Sequence, residues 1–370
     1  MLRVMIDATS LLLRSAGVKT YTYEWIKALR QDPNAGDVRL FPFLRLPPGY
    51  HHECSPLPYL STALRIAALH FGNVPHNPAW RLLGRNIDIF HCSNQCRNPP
   101  DNAILTATVH DMTCWLTPEF HSAANVRADL SYAEKVLKRA RGLIAVSENS
   151  RRDAIQVLGI PEDRIVAIHP GVAPHFFSVP GREVERVRAK LRLARPYVLT
   201  LGTIEPRKNT DRLLAAWLAL RKDLREQFDL VFAGPIGWAP DATLAALNQG
   251  RHGIRYLGYV GEADLPGLTA GATALAYPSL YEGFGFPVAQ AMASGVAVVT
   301  SNVSSLPEVA GDAAEYADPS SVESIAQALT KVLESPDLRN ELGHRGRKKA
   351  ETYRWEVTAK RTWEFWRGLQ

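Results

Sequence analysis

A chain of 370 residues is too long for one ordinary hydrophobic core and suits two domains; with 46% apolar and 22% charged residues it reads as a globular protein. Its longest apolar runs, 293–300 and 198–201, fall far short of the roughly 20 residues a membrane-spanning helix needs. A net charge of +6 leaves nucleic acid or an anionic membrane surface as partners, but no helix-turn-helix, zinc finger or aromatic–basic platform supports nucleic acid, and the basic stretches 182–192 and 345–349 read as solvated helix faces.

The opening Met1-Leu2-Arg3-Val4-Met5-Ile6-Asp7 reads as a first β-strand, not as a basic n-region before an apolar core, so a cytoplasmic protein is expected. Further strands are expected at 38–43, 87–92, 103–110, 142–146 and 165–168, with helices at 19–29, 126–139 and 149–158, the last capped by Ser147. The segment 56–85 mixes Leu, Ile, Phe and Trp with Arg65, Arg81, Arg85 and prolines. Two readings stand for it: a flap touching an amphiphilic substrate or membrane, and an irregular insertion with its own small core. Cys92 and Cys96, with His91, His110 and Cys114 nearby, invite a zinc reading; their spacing matches no closed four-ligand pattern, and buried free thiols, with Cys54 as the fourth cysteine, are the expectation.

Residues 169–181 are rich in Pro and Gly without apolar period and read as an interdomain linker. The alternation then restarts, with strands at 197–201, 230–233, 254–257, 274–277 and 296–300 and helices at 210–220, 262–270, 287–293, 322–334 and 338–352. A last helix at 355–369 carries Trp355, Trp363, Phe365 and Trp366, enough to staple it to the first domain; a membrane-lying helix is the alternative. Alternating strands and helices predict an α/β fold with two Rossmann-like domains, 1–175 with 354–370, and 190–353.

Two segments carry chemistry. After the strand 197–201 come Gly202-Thr203, then Glu205-Pro206-Arg207-Lys208-Asn209, then a helix. Ligands of open α/β sheets bind beyond the carboxyl ends of strands, and here that place receives a small-residue turn, two cations and a helix start, which suits a diphosphate better than a plain basic helix start. After the strand 274–277 comes Glu282-Gly283-Phe284-Gly285-Phe286-Pro287, where the glycines let backbone approach a ligand and Glu282 can accept from sugar hydroxyls; Gln290 follows on the next helix. His110-Asp111, at the end of a first-domain strand, is either a structural histidine or a site residue.

These segments resemble the retaining glycosyltransferases of the GT-B fold with the E-x7-E signature, family 4 type. The likeness extends to Ser15-Ala16-Gly17, Val109-His110-Asp111, Val146-Ser147-Glu148 and Leu306-Pro307-Glu308-Val309-Ala310-Gly311, and the turn 202–209 looks like the mannosyltransferase branch that builds surface polysaccharides. The resemblance implies two domains facing across a cleft, with the last helix crossing back to the first. It implies a donor site of Gly17, Gly202, Thr203, Arg207, Lys208, Glu282, Gly283, Phe284, Gly285 and Phe286, with Tyr259 and Val260 meeting the nucleobase and Gln290 the ribose. His110, Glu282, Arg207 and Lys208 would carry catalysis. Gln290 departs from the pattern, which usually has Glu there; the oxygen acceptor is kept and the charge lost. His169-Pro170-Gly171-Val172 likewise replaces the family's Pro-Asn-Gly-Val.

No Asp-x-Asp follows a strand, so no metal or other cofactor is expected. The implied donor is GDP-mannose, with a UDP-sugar as alternative, and the acceptor a saccharide or lipid-linked saccharide met at the inner face of a membrane. A nucleotide-sugar epimerase on the same scaffold and a nucleotide-binding pseudo-enzyme are the rival functions; the only candidate acid/base carboxylates are Asp111, Glu205 and Glu282.

Overall fold

The computed structural model describes residues 1–74, 77, 80 and 86–370. The chain divides into two compact units, Met1–Gly171 with Arg354–Gln370, and Val172–Tyr353. Unit 1 runs β1 (Arg3–Asp7), α1 (Gly17–Gln31), β2 (Asp37–Phe41), α2 (Tyr59–Gly72), β3 (Ile89–Cys92), β4 (Ile104–Val109), α3 (Thr113–Leu116), α4 (Ala123–Tyr132), β5 (Gly142–Ala145), α5 (Glu148–Leu158) and β6 (Ile165–Ala167). Among the described residues its six strands lie in the order β2-β1-β3-β4-β5-β6, paired in parallel. Strands covered on both faces need no polar alternation, and β3 and β5 are buried at every position. Ser147 accepts from the Ser150 amide at 3.0 Å, and Gly159 closes α5 in the left-handed region.

Strand order reverses between β1 and β3, and Asp7 ties the two loops that leave this point. Its Oδ1 accepts from the Thr9 amide and hydroxyl, and its Oδ2 from the amides of Gln95 and Cys96. The buried Lys19 of α1 donates to the carbonyls of His51 and Cys54, fixing that helix to the loop after β2. Two expectations change here. Part of the segment 56–85 is not irregular: residues 59–72 form the helix α2, while Arg81 and Arg85 lie outside the described residues. The helix expected over 126–139 is α4 followed by a π turn at Ala133–Leu137, which buries Ala133, Val136 and Leu137.

Unit 2 runs α6 (Gly181–Lys190), β7 (Tyr197–Leu201), α7 (Thr210–Ala219), α8 (Lys222–Gln227), β8 (Asp229–Ala233), α9 (Asp241–Gln249), β9 (Ile254–Tyr256), α10 (Leu265–Ala270), β10 (Ala274–Tyr277), α11 (Phe286–Ala293), β11 (Ala297–Ser301), α12 (Leu306–Ala310), β12 (Ala314–Ala317), α13 (Val322–Glu334) and α14 (Pro336–Ala350). Its sheet order is β12-β11-β10-β7-β8-β9, again parallel, so the reversal falls between β7 and β10. The first helix, α6, packs on α10: a Cβ on Gly267 would stand 2.7 Å from Val187 Cγ2. The second unit therefore starts earlier than the residue 190 read from the sequence.

The last helix, α15 (Trp355–Gly368), belongs to unit 1. Trp363 and Trp366 are almost wholly buried, Trp25 Nε1 of α1 donates to Thr362 Oγ1, and Trp363 Nε1 donates to the Leu29 carbonyl. With its aromatic face spent on α1, this helix has no such face left for a bilayer.

Candidate active site

The carboxyl ends of β7 and β10 flank the switch point of unit 2, and both sequence-predicted segments leave from there. Gly202 has φ +135, and Gly234, at the same end of β8, has φ +147; a Cβ on Gly234 would stand 2.0 Å from the Gly202 carbonyl oxygen, so the two turns can touch only through glycine. Backbone bonds continue the contact, Ile204 N to Pro235 O at 2.9 Å and Gly237 N to Ile204 O at 3.1 Å. Pro206–Lys208 make a single tight turn, and Asn209 then takes left-handed geometry at φ 61 before α7. Its side chain does not cap the helix. The buried Nδ2 donates to the carbonyls of Pro278, after β10, and Pro319, after β12. Together with Leu280 N to Arg207 O, this stitches the β7 turn to the β10 turn.

Arg207, Lys208 and Glu282, separate in the sequence, form one cluster. Lys208 Nζ lies 2.6 Å from Glu282 Oε1 and 2.7 Å from the Tyr277 hydroxyl, which itself donates to Glu282 Oε1. Arg207 reaches Glu282 Oε2 at 3.0 Å and Glu205 Oε1 at 2.7 Å, and donates to the Tyr281 carbonyl. Burial pushes the Glu282 carboxyl up, but the charges of Arg207 and Lys208 more than reverse this and hold it at about 2. Burial and then Arg207 lower the Lys208 ammonium, against the opposing pull of Glu282 and Glu205. Glu282 thus opposes the effect of burial on Lys208.

The loop that follows is fixed by two serines missed from the sequence. Ser304 Oγ accepts from the Glu282 amide, and Ser305 Oγ donates to the carbonyls of Glu282 and Phe284. Gly285 stands at φ 98 with a Cβ position 2.7 Å from Leu306 Cδ2, and α11 begins at Phe286 with Pro287 in its first turn. Gly283 and the Phe284 side chain are buried, Phe284 against Tyr353. Gln290 is half-buried on α11, and its carboxamide has no hydrogen-bond partner among the described residues. Thr203 is half-buried beside Gly237. Tyr259 and the buried Val260 follow Gly258, whose carbonyl accepts from Gly234 N at 2.8 Å. The loop between β8 and α9 leaves Ile236 and Trp238 exposed at the same edge of the sheet. Nothing in the apolar periodicity marks that tryptophan as exposed; its Pro-Ile-Gly-Trp-Ala-Pro context was the available signal.

In unit 1, Gly17 is exposed as the first residue of α1, after the loop that leaves β1 at that unit's switch point. His110 follows β4, edge-on to the Tyr21 ring at 5.0 Å, and its buried Nε2 has no partner among the described residues. Burial lowers its pKa to about 4, against a weaker upward pull from Asp111. Asp111 does not accept from the histidine through Oδ1: that oxygen takes the Thr113 amide and hydroxyl at the start of α3. The zinc reading does not assemble. His91 spends both ring nitrogens on Thr106 and Thr108, Cys114 donates to Asp129, and among the described residues no group of three or more His, Cys, Asp or Glu is placed to hold a metal ion.

A parallel two-unit α/β architecture with cations at a switch point fits the class of anion-binding α/β proteins. Comparison with known proteins narrows it. The family model described as Glycosyl transferases group 1 matches residues 181–349, and that described as Glycosyltransferase Family 4 matches residues 15–176. The O-antigen chain mannosyltransferase B of Escherichia coli is 37% identical over 303 residues, 81% of this chain and 77% of that protein. Among solved structures, WaaG, a glycosyltransferase involved in lipopolysaccharide biosynthesis, superposes with a TM-score of 0.73 at 16% identity over 98% of this chain and 99% of that one. Anabaena Alr3699/HepE in complex with UDP gives 0.71 at 18% identity over the full length of both. The chain belongs to the GT-B glycosyltransferases with group 1 and family 4 domains, and it is a glycosyltransferase.

Proposed function

We propose that this enzyme transfers mannose from GDP-mannose, with retention of anomeric configuration, to a saccharide acceptor carried on a lipid during surface polysaccharide assembly. The observation that carries the reading is the Arg207–Lys208–Glu282 cluster at the β7/β10 switch point. Two cations there meet the negative charge that builds on a departing diphosphate, and a fixed cradle lowers the barrier without having to reorganise. The choice of mannose is supported by the 37% identical mannosyltransferase, whose name also carries the O-antigen.

In this reading Arg207 and Lys208 hold the diphosphate, and Glu282 and the backbone of Phe284–Phe286 hold the sugar. Gln290 meets the ribose, and Tyr259–Val260 with the exposed Trp238 meet the base. In unit 1, with its pKa near 4, His110 is a neutral imidazole at physiological pH. Retention follows a front-face attack in which a phosphate oxygen of the leaving group takes the acceptor's proton. The charge work falls to Arg207 and Lys208, and transfer needs no divalent ion.

An epimerase would need carboxylates free to exchange protons near pH 7. Glu282 is held at about 2 by Arg207 and Lys208, Glu205 is bound to Arg207, and Asp111 Oδ1 is bound to Thr113, so each of these three already has a partner. The test is transfer from GDP-mannose to a mannose-terminated saccharide, with the anomer of the product read by NMR. An inverted product, or turnover with UDP-sugars alone, overturns the corresponding part of the proposal.

A further inference from the structure

Tyr277, Lys208 and Glu282 close a triangle of hydrogen bonds at the carboxyl end of β10. Lys208 Nζ donates to Glu282 Oε1 at 2.6 Å and to the Tyr277 hydroxyl at 2.7 Å, and that hydroxyl donates to the same Oε1 at 2.9 Å. Tyr277 is the buried last residue of β10, and its carbonyl accepts from Thr300 Oγ1 of β11. Its backbone is thus fixed by the neighbouring strand while its hydroxyl reaches the cluster. A phenylalanine would bury the same ring at this strand position; the hydroxyl adds only the two bonds.

An ammonium carries three protons and a carboxylate oxygen two lone pairs. Two protons of Lys208 are taken within the triangle, and among the described residues the third has no partner. Both lone pairs of Glu282 Oε1 are taken, by Lys208 and Tyr277, while Oε2 meets Arg207 at 3.0 Å. An anion that meets this ammonium is therefore left one N–H, and a hydroxyl that meets this carboxylate is left Oε2. The lysine stem passes the turn after β7, where a Cβ on Gly202 would stand 3.5 Å from Lys208 Cε.

We propose that Tyr277 is a positioning residue whose hydroxyl locks the Lys208 ammonium and the Glu282 carboxylate in one relative orientation, turning one N–H toward the leaving diphosphate and Oε2 toward a hydroxyl of the donor sugar. The inference rests on the donor-site reading of the Arg207–Lys208–Glu282 cluster and adds to it a residue that acts through the other two.

Removing the hydroxyl changes two things. Burial and Arg207 oppose the charged form of Lys208, and Glu282 and Glu205 support it. The tyrosine oxygen supports it as an acceptor, so without that oxygen the ammonium gives up its proton at lower pH. Oε1 also regains a lone pair, and Glu282 is then free to present either oxygen to the sugar.

Tyr277→Phe is to be compared with wild type by calorimetry with GDP and, in parallel, UDP from about pH 7 to about pH 10, and by turnover of GDP-mannose. Near neutral pH the nucleotide affinity of the variant should stay within about threefold of wild type, because Arg207 and the protonated Lys208 remain. The alkaline loss of affinity should begin about one pH unit lower in the variant. Turnover at saturating donor should fall about tenfold, as the two groups lose their fixed orientation. A tyrosine that only fills space would move neither the alkaline limb nor the turnover. Superimposable pH profiles, unchanged turnover, or a variant that no longer folds overturn the inference. Wild type that binds neither nucleotide would remove the donor-site reading itself, whereas binding with superimposable profiles would spare that reading and remove this inference alone.

Discussion

Lys208 sits where a positive charge is costly unless compensated, and Glu282 is the residue that compensates it. Lys208→Ala should therefore act twice: turnover should fall about ten- to a hundredfold through loss of a charge-assisted contact to the leaving group, and the melting temperature should fall because the buried Glu282 loses one of its two cations. Unchanged stability with unchanged turnover would contradict both assignments. The pH dependence has a definite sign. The folded value of Glu282 near 2 lies below its ordinary value of about 4.3, so its stabilising contribution is complete above about 4.3 and is lost as pH falls from there toward 2. Acid unfolding of Glu282→Gln, followed by circular dichroism, should lack that component. Gln290→Glu should tighten GDP several-fold by restoring a charged acceptor for the ribose hydroxyls; calorimetry showing weaker binding would move the ribose elsewhere. Each member of the site was visible in the sequence as a residue type after a strand. Their pairing was not, because Lys208 and Glu282 are 74 positions apart and only the sheet order makes β7 and β10 neighbours. Asn209 and Ser305 were invisible for a related reason: a polar residue near a helix start reads as a cap, and here each binds carbonyls of a distant loop instead.

Elements were most legible where they are fully buried. The runs that form β7, β8 and β10 are nearly continuous apolar segments between turn residues, and their expected limits differ from the observed ones by at most a residue. The strand β12, Ala-Glu-Tyr-Ala, carries too few β-branched side chains to announce itself and exists because β11 offers it an edge. The helix α2 misled because Pro56 and Pro58 before it and Arg65 among its apolar residues read as an irregular segment. The tryptophans of α15 were readable because four large aromatics on one terminal helix need a surface to cover them. Trp366→Ala should cost about 3–5 kcal/mol as a large cavity opens beneath α15, measured as a shift in urea midpoint. A shift below about 1 kcal/mol would mean that the helix is not held by its aromatic face.

At the scale of the molecule, the boundary between the units decides which fragment can be studied. A fragment beginning at residue 192 would omit α6, whose Val187 packs on Gly267, whereas Val172–Tyr353 contains that helix together with Arg207, Lys208, Glu282 and Gln290. That fragment is predicted to bind GDP and to transfer nothing; a folded fragment without nucleotide affinity would place the donor in unit 1. Exhaustive treatment with EDTA should leave transfer by the whole enzyme intact, since Arg207 and Lys208 carry the charge work assigned to them; loss restored by one divalent ion would contradict this. The proposed donor site is the β7/β10 switch point. Its most direct test is release of GDP from GDP-mannose by wild type and Lys208→Ala, with and without a mannose-terminated saccharide. Release by wild type should depend on the acceptor and fall about ten- to a hundredfold in the variant. Equal release without acceptor, or equal release by the variant, would contradict it.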